Sequence, residues 1–245
     1  MLLGVCPKKA RANDINPQLI NFHRQARDFP VELRKAILNL YGWDSCSKEL
    51  FLARREEYNE MLENEECSIN SAAYFFWLNR HCFNGLYRLN AFGRYNVSWN
   101  QEETMKKSIP SLEEFKAVAD VLKRTELSSM DFREFLVDVK EGDMVFLDPP
   151  YLPDPNGGDF TSYTKDGFSM QDHQDVVEAA RKCIEMGAYV VATNNDSSLT
   201  RKMWSGFHFH SYSTSRCICP GRLRIEVAMT SWEPRNTLDS IDRFC

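Results

Sequence analysis

The sequence predicts an α/β fold with an open sheet, and three observations predict it. One is the run Val145-Phe146-Leu147-Asp148-Pro149-Pro150-Tyr151, an apolar stretch that stops at an acid, two prolines and an aromatic ring. Another is Tyr189 to Thr193, a second apolar run closing on Asn194-Asn195-Asp196. The third is the helix-patterned segment from Ser169 to Gly187 between them, so that strands and helices alternate along the chain. Short apolar runs bounded by turn residues read as buried strands, and Gly142-Asp143 supplies the turn into the first. Proline cannot donate to a sheet ladder, so this strand stops at Asp148. A carboxylate, a stiffened backbone and a ring are thereby set at the carboxyl end of a strand, where open α/β sheets bind their ligands.

The residue types at that strand end suit an exocyclic amine on a flat ring. Such an amine is a poor nucleophile because its lone pair is delocalised into the ring. Asp148 can accept a hydrogen bond from one N–H and the carbonyl of Pro149 from the other. Two acceptors on one NH2 favour a pyramidal nitrogen whose lone pair points at an electrophile. Pro150 stiffens the turn, and Tyr151 can stack on the ring, a contact worth about 1–3 kcal/mol per base. The plainer reading is a strand-end turn with a surface acid.

At 245 residues the chain fits one large domain or a domain with an insertion, and at 43% hydrophobic residues it can fill a core. No run is long enough to span a membrane and the N-terminus lacks a secretory pattern. The eight cysteines are scattered without a Cys-x-x-Cys pair, which reads as reduced thiols in a cytoplasmic protein. Cys217 and Cys219 beside His208 and His210 can be read as zinc ligands or as alternating strand positions; the second is preferred, and no metal is expected.

A formal charge of −5 argues against indiscriminate nucleic-acid binding, but its distribution does not. Between Glu66 and Glu102 no acid occurs, against Arg80, Arg88 and Arg94. Between Asp196 and Glu226 none occurs, against Arg201, Lys202, Arg216, Arg222 and Arg224. Two such windows in an acidic chain suggest a surface facing phosphates, with chance clustering as the alternative.

Along the chain, Ala12 to Pro17 reads as a strand end followed by a helix with Asn16 as N-cap and Pro17 at its first position. A second helix runs from about Val31 to Tyr41 and stops at Gly42, and Ser47 caps a third through Leu62. Ala72 to Phe83 is a helical stretch rich in aromatics. The loops after it, Asn84 to Asn90 and Gly93 to Asn96, mix Asn, Arg and aromatics. Arg and Asn read guanine and adenine edges bidentately, and apolar side chains can wedge between bases. A buried aromatic helix with a polar turn is the alternative. Ser111-Leu112-Glu113-Glu114 opens a helix to about Arg124, and Leu127 to Phe132 reads as a short strand. The loop with Pro153, Pro155, Gly157 and Gly158 is a candidate lid. Phe207 to Ser215 and Leu223 to Ser231 read as the strands of a closing hairpin, with a polar tail from Glu233.

These motifs together resemble the Dam-like DNA adenine-N6 methyltransferases, over nearly the whole chain from Ala12 to about Trp232. The resemblance implies a Rossmann-like sheet that binds S-adenosyl-L-methionine, with a helical DNA-recognition insertion ahead of the Asp-Pro-Pro-Tyr motif. It divides the chain into a catalytic domain at 1–30 and 108–245 and a recognition domain at 31–107. It implies that Asp14 holds the ribose hydroxyls of the cofactor, that Asp131 and Phe132 contact its adenine, and that Asp148 lies beside it. It makes Asp148, Pro149, Pro150 and Tyr151 the catalytic set. The segment Leu78-Asn79-Arg80 with Phe83 to Asn90 matches the family's recognition hairpin. Arg80, Phe83, Asn84, Leu86, Arg88 and Asn90 then face double-stranded DNA, Arg88 reading a guanine, Leu86 a thymine methyl, and Phe83 or Asn84 filling the gap left by a flipped base. Phe160 to Phe168 resembles the loop that closes over the target adenine.

The chain departs from the family where a Phe-x-Gly-x-Gly strand and loop cradles the cofactor, a segment this sequence does not contain. In the family's sheet that strand is central, so the expectation is a sheet with a gap, in a truncated, split or decayed enzyme with impaired activity. A separate chain supplying the segment is one way to fill it. The competing readings are a catalytically silent DNA-binding remnant and an RNA amino-methyltransferase sharing the catalytic tetrapeptide alone.

Overall fold

The computed structural model describes residues 2–41, 47–100, 109–152, 168–215 and 223–233. The stop at Gly42, the candidate lid, residues 160–167 of the closing loop, Arg216, Cys217, Cys219, Arg222 and the tail beyond Glu233 lie outside them. The chain forms two compact units, Met1–Asp131 and Phe132–Cys245.

The first unit opens with a single helical turn, α1 (Leu2–Val5), followed by β1 (Ala10–Asn13) and α2 (Pro17–Asp28). As the sequence predicts, the Asn16 side chain caps α2, accepting from the N–H groups of Gln18 and Leu19, with Pro17 at the first position. α3 (Pro30–Tyr41), α4 (Lys48–Glu63, capped by Ser47) and α5 (Ile69–His81) follow, then α6 (Leu112–Leu122) behind a Ser111/Glu114 capping box. Ile20, Leu33, Ile37, Ala72, Ala73, Phe115 and Leu122 form one core among α2, α3, α5 and α6. Phe51, Tyr58, Trp77, Leu78, Tyr95 and Val97 form another, between α4, α5 and the loops after it.

The strand expected at Leu127 to Phe132 is earlier in sequence: β2 is Thr125–Ser128, paired parallel to β1 with Asn13 opposite Ser128. The cause is local. The Asn13 amide donates to the Met130 carbonyl at 2.9 Å and its oxygen accepts from the Met130 N–H at 3.1 Å, drawing the chain out of the ladder after Ser128. Phe132 instead begins a helical turn, α7 (Phe132–Phe135), in the second unit.

Among the described residues the second unit holds a mixed sheet of four strands in the order β3-β4-β6-β5. β3 (Met144–Leu147) runs through α8 (Met170–Glu185) to its parallel neighbour β4 (Tyr189–Asn195). α8 starts on a Ser169/Asp172 capping box and ends at Gly187, whose φ of 86° is the left-handed turn that glycine adopts without strain. A short α9 (Ser198–Met203), missed in the sequence, leads to the antiparallel hairpin of β5 (His208–Ser215) and β6 (Leu223–Thr230). β6 pairs with β4, so the hairpin closes the sheet as expected.

Register sorts the side chains of this sheet. Residues directly opposite one another share a face. Val145 lies opposite Val190, Leu147 opposite Ala192, Ala192 opposite Met229 and Asn194 opposite Val227. That face packs on Val176, Val177, Ala180 and Cys183 of α8. Thr193, Asn195 and Glu226, with Tyr212 opposite Glu226, fall on the other face.

The expectation of a buried strand at 145–148 needs correction. Val145 is buried, whereas Met144 is 57% and Phe146 39% exposed. β3 is the end strand of its sheet, paired on one side alone among the described residues. Met144 and Phe146, which share the face opposite Val145, are the exposed positions.

Candidate functional site

Asp148 follows the last residue of β3, where Pro149 and Pro150 prevent further pairing. By parity it projects on the face carrying Thr193, and the Thr193 hydroxyl donates to its Oδ1 at 2.5 Å. Asp148 is exposed, so the carboxylate keeps acceptor positions toward solvent while one oxygen is held.

The segment after the prolines is tied to the end of β4. Asn194, fully buried, accepts from the backbone N–H of Leu152 at 2.9 Å, and the Asn195 amide donates to the Leu152 carbonyl at 2.9 Å. Leu152 itself is buried. Tyr151 therefore lies between Pro150, whose own φ is fixed by its ring, and a doubly bonded Leu152. Its hydroxyl donates to Glu226 Oε2 at 3.0 Å, and the Tyr212 hydroxyl reaches the same oxygen at 3.2 Å. Partial burial first, then the bond to Glu226 and the nearby charges of Glu226 and Asp148, push the Tyr151 phenol well above its ordinary pKa, so it stays protonated and donating.

Further along this strand end, Asp196 is held by Arg201 through two bonds of 2.7 and 2.8 Å and accepts from the Ser211 hydroxyl. These bonds keep the Asp196 carboxyl below its ordinary pKa, the Arg201 bond contributing most. Arg201, counted in the sequence among phosphate-facing cations, is thus already paired.

Phe132 sits at the start of α7, with the Arg133 guanidinium 4.4 Å from its ring centroid and the Phe168 ring 6.1 Å away. Arg133 also bridges to Asp172 and Asp175 of α8. One face of the Phe132 ring is therefore covered by a cation.

In the first unit, Asp14 follows β1 and its Oδ1 accepts from the Asn16 N–H at 2.8 Å. Its own N–H bonds to the Ser128 carbonyl at 3.4 Å, and the Asn13 clamp on Met130 fixes the start of the segment that reaches Asp131. Asp14 and Asp131 thus follow the carboxyl ends of adjacent parallel strands, both partly exposed.

The predicted recognition segment begins on α5 and leaves it earlier than the sequence suggests. α5 stops at His81, and Phe83–Gly85 is a separate short turn in which Asn84 has φ 55° and Gly85 φ 64°. The Asn79 amide closes it by donating to the Gly85 carbonyl at 2.5 Å. Phe83 is 49% exposed at this turn, while Leu86 is half-buried against the aromatic core of α4 and α5. Arg88 is exposed and donates through Nε to Asn96 Oδ1 at 2.7 Å. Asn90 spends its side-chain oxygen on the turn, accepting from the N–H groups of Phe92 and Arg94. Arg80 lies over the Phe76 ring. Arg94 pairs with Glu56 and Glu63 of α4, so its charge is also met within the protein.

Among these residues the sequence gives no notice of Glu226 or Tyr212. The available signal was a carboxylate inside the otherwise apolar run Ile225 to Met229. Among the described residues no cluster of three or more His, Cys, Asp or Glu is placed to hold a metal, and no helix is long and apolar enough to cross a membrane.

The sequence profile of the D12 class of N6 adenine-specific DNA methyltransferases matches residues 3–218. The chain is 30% identical over 218 residues to the type II methyltransferase M1.LlaDCHI of Lactococcus lactis subsp. cremoris, covering 88% of this chain and 75% of that one. It is 31% identical over 215 residues to the DNA N-6-adenine-methyltransferase of Escherichia phage P1, covering 86% of this chain but 28% of the phage protein. It is 27% identical over 225 residues to the DNA adenine methylase of Vibrio cholerae serotype O1, covering 90% and 79%. With a match over most of its length and the Asp-Pro-Pro-Tyr strand end in place, the chain belongs to the D12 class of N6 adenine-specific DNA methyltransferases.

Proposed function

We propose that this chain methylates N6 of an adenine turned out of double-stranded DNA, with S-adenosyl-L-methionine as donor. Chemistry on a base inside a duplex requires the base to leave the stack. The observation that carries the reading is the Asp148 carboxylate held by Thr193 on one strand-end segment with a tethered Tyr151. Asp148 accepts one N6–H, the Pro149 carbonyl accepts the other, and Tyr151 stacks on the purine. The nitrogen lone pair is thereby turned out of conjugation. Holding two reactants in line supplies much of the rate. Arg88 and Leu86 would read base edges, Phe83 or Asn84 would fill the vacated gap, and Arg80 and Asn90 would support the same segment.

The donor set fits the cofactor. Asp14 and Asp131 are acceptor-only groups past adjacent strands, suited to ribose hydroxyls and to the adenine amine, with the ring of Phe132 next in sequence. When bound, the cofactor supplies an electrophilic methyl on a positively charged sulfur.

We read the fold as Rossmann-like, with residues 1–30 and 108–245 catalytic and 31–107 recognising DNA. The edge position and exposed apolar residues of β3 support the expectation of a gap beside that strand. These 245 residues contain no Phe-x-Gly-x-Gly segment, so we expect them by themselves to hold the cofactor weakly.

The test is transfer of labelled methyl to duplex DNA free of adenine methylation, with ribosomal RNA as the comparison. Asp148→Ala should abolish transfer and leave DNA affinity within about twofold. Full activity in that variant, or a preference for RNA, would overturn the reading. Calorimetric titration with S-adenosyl-L-methionine checks the cofactor; micromolar binding by this chain alone would remove the expectation of impairment.

A further inference from the structure

Among the described residues Glu226 is the one acid in the buried class, at 8% exposure. A carboxylate withdrawn from water is costly unless its lone pairs are hydrogen-bonded. Two tyrosines distant in sequence do this, both through Oε2: Tyr151, just after the two prolines, and Tyr212, the cross-strand partner of Glu226 on β5. Asn195, whose amide holds Leu152, is the partner of Glu226 on the β4 side. Glu226 therefore stands in the middle of the sheet face that carries Asp148 and Thr193, with its bonds running toward the strand-end segment.

Stacking on a base needs the ring of Tyr151, not its hydroxyl; a phenylalanine would present the same face. Pro150 fixes its own φ and does not set the side-chain torsions of Tyr151. The bond from the Tyr151 hydroxyl to Glu226 restrains them, and Tyr212 holds the carboxylate from the neighbouring strand.

We propose that Glu226 is a positioning residue for the methyl-accepting base: through the Tyr151 hydroxyl it fixes the plane on which the adenine stacks, so that the amine meets Asp148 and the Pro149 carbonyl together. This rests on the reading of Asp148 to Tyr151 as the amine site. It assigns Tyr212 a supporting part as the second bond to the same oxygen.

The test has two arms on the full chain. In the first, the protein is labelled with 3-fluorotyrosine and the Tyr151 fluorine resonance is assigned by its loss in Tyr151→Phe. Glu226→Ala should move that resonance toward the position of free fluorotyrosine, and Glu226→Gln, which keeps an acceptor of the same size, should move it less. An unchanged resonance in Glu226→Ala overturns the tether whether or not the chain turns over. In the second, methyl transfer to adenine-methylation-free DNA should fall about tenfold in kcat for Tyr151→Phe and Glu226→Ala, with KM for DNA within about twofold, and recover to within about threefold in Glu226→Gln. Tyr151→Phe removes the same bond from its partly exposed end, so a folding failure of Glu226→Ala does not decide the matter. Normal kcat in Tyr151→Phe, with Asp148→Ala inactive, sinks this inference alone. Full activity in Asp148→Ala sinks the amine-site reading beneath it.

Discussion

The Thr193 hydroxyl donates to Oδ1 of Asp148 at 2.5 Å, joining the end of β3 to its parallel neighbour β4 on the sheet face opposite α8. A hydrogen bond to a charged acceptor contributes about 1.5–3 kcal/mol when shielded, and the exposure of Asp148 reduces that to roughly 1 kcal/mol. Thr193→Val keeps the shape of the side chain and removes the donor. We expect methyl transfer to fall about fivefold in kcat and the melting temperature to fall by about 2–4 °C. A measurement showing equal kcat for the two proteins would mean that Asp148 is held by other means.

Asn194 joins the core of the sheet to the segment after Pro150, since its side-chain oxygen accepts from both Leu152 and Asn195 N–H groups and the residue is fully buried. Replacing it by alanine strands one buried and one part-buried donor, at a cost of about 2–3 kcal/mol. Urea denaturation of Asn194→Ala should report that loss, and transfer should fall at temperatures where the variant remains folded. A variant as stable as the parent would show that water replaces the lost acceptor.

Arg88 and Arg94 lie six residues apart and are expected to behave differently on DNA. Arg88 is exposed and bonded to Asn96, a neutral partner that can yield to a base edge; Arg94 is neutralised by Glu56 and Glu63. Arg88→Ala should cost about 1–3 kcal/mol of binding and relax the choice of base at one position. Arg94→Ala should leave the salt dependence of binding unchanged. Filter binding across a salt series separates the two, and a lower slope for Arg94→Ala would return that residue to the phosphate-facing set.

Near neutral pH, His23 and His173 are expected to contribute to the pH dependence of stability. Burial lowers both pKa values from the ordinary 6.5, against smaller opposing effects from Asp14 and Asp172. Below pH 6.5 the unfolded chain binds protons that the folded chain refuses. Stability is therefore complete above 6.5 and lost as pH falls through the window down to the lowered folded values. Denaturation midpoints should drop between about pH 7.5 and about pH 5.5, and His173→Phe, which keeps the ring against Phe168, should flatten the drop. An unchanged slope in that variant would assign the effect to other groups.

Several parts of this protein were legible in one dimension because their causes are local. Asn16 before Pro17, Ser47, Ser111 with Glu114, and Ser169 each cap the helix they announce, since a cap needs only a side chain within three residues of the N–H it meets. The stop of β3 before Asp148 follows from the proline ring, and the closing hairpin from alternation in two runs. The position of β2 was misplaced because its end is set by Asn13, more than a hundred residues away.

What the chain alone determined, then, was most of the longer helices and strands and the chemical character of one strand end. What tertiary structure decided was partnership. That β3 lies at the edge of its sheet, that Arg94 and Arg201 are already neutralised, and that Glu226 of the last strand holds the ring of Tyr151 all depend on which strands and helices become neighbours. Local steric rules act over a few residues; strand register couples residues any distance apart, and that coupling completes the candidate site.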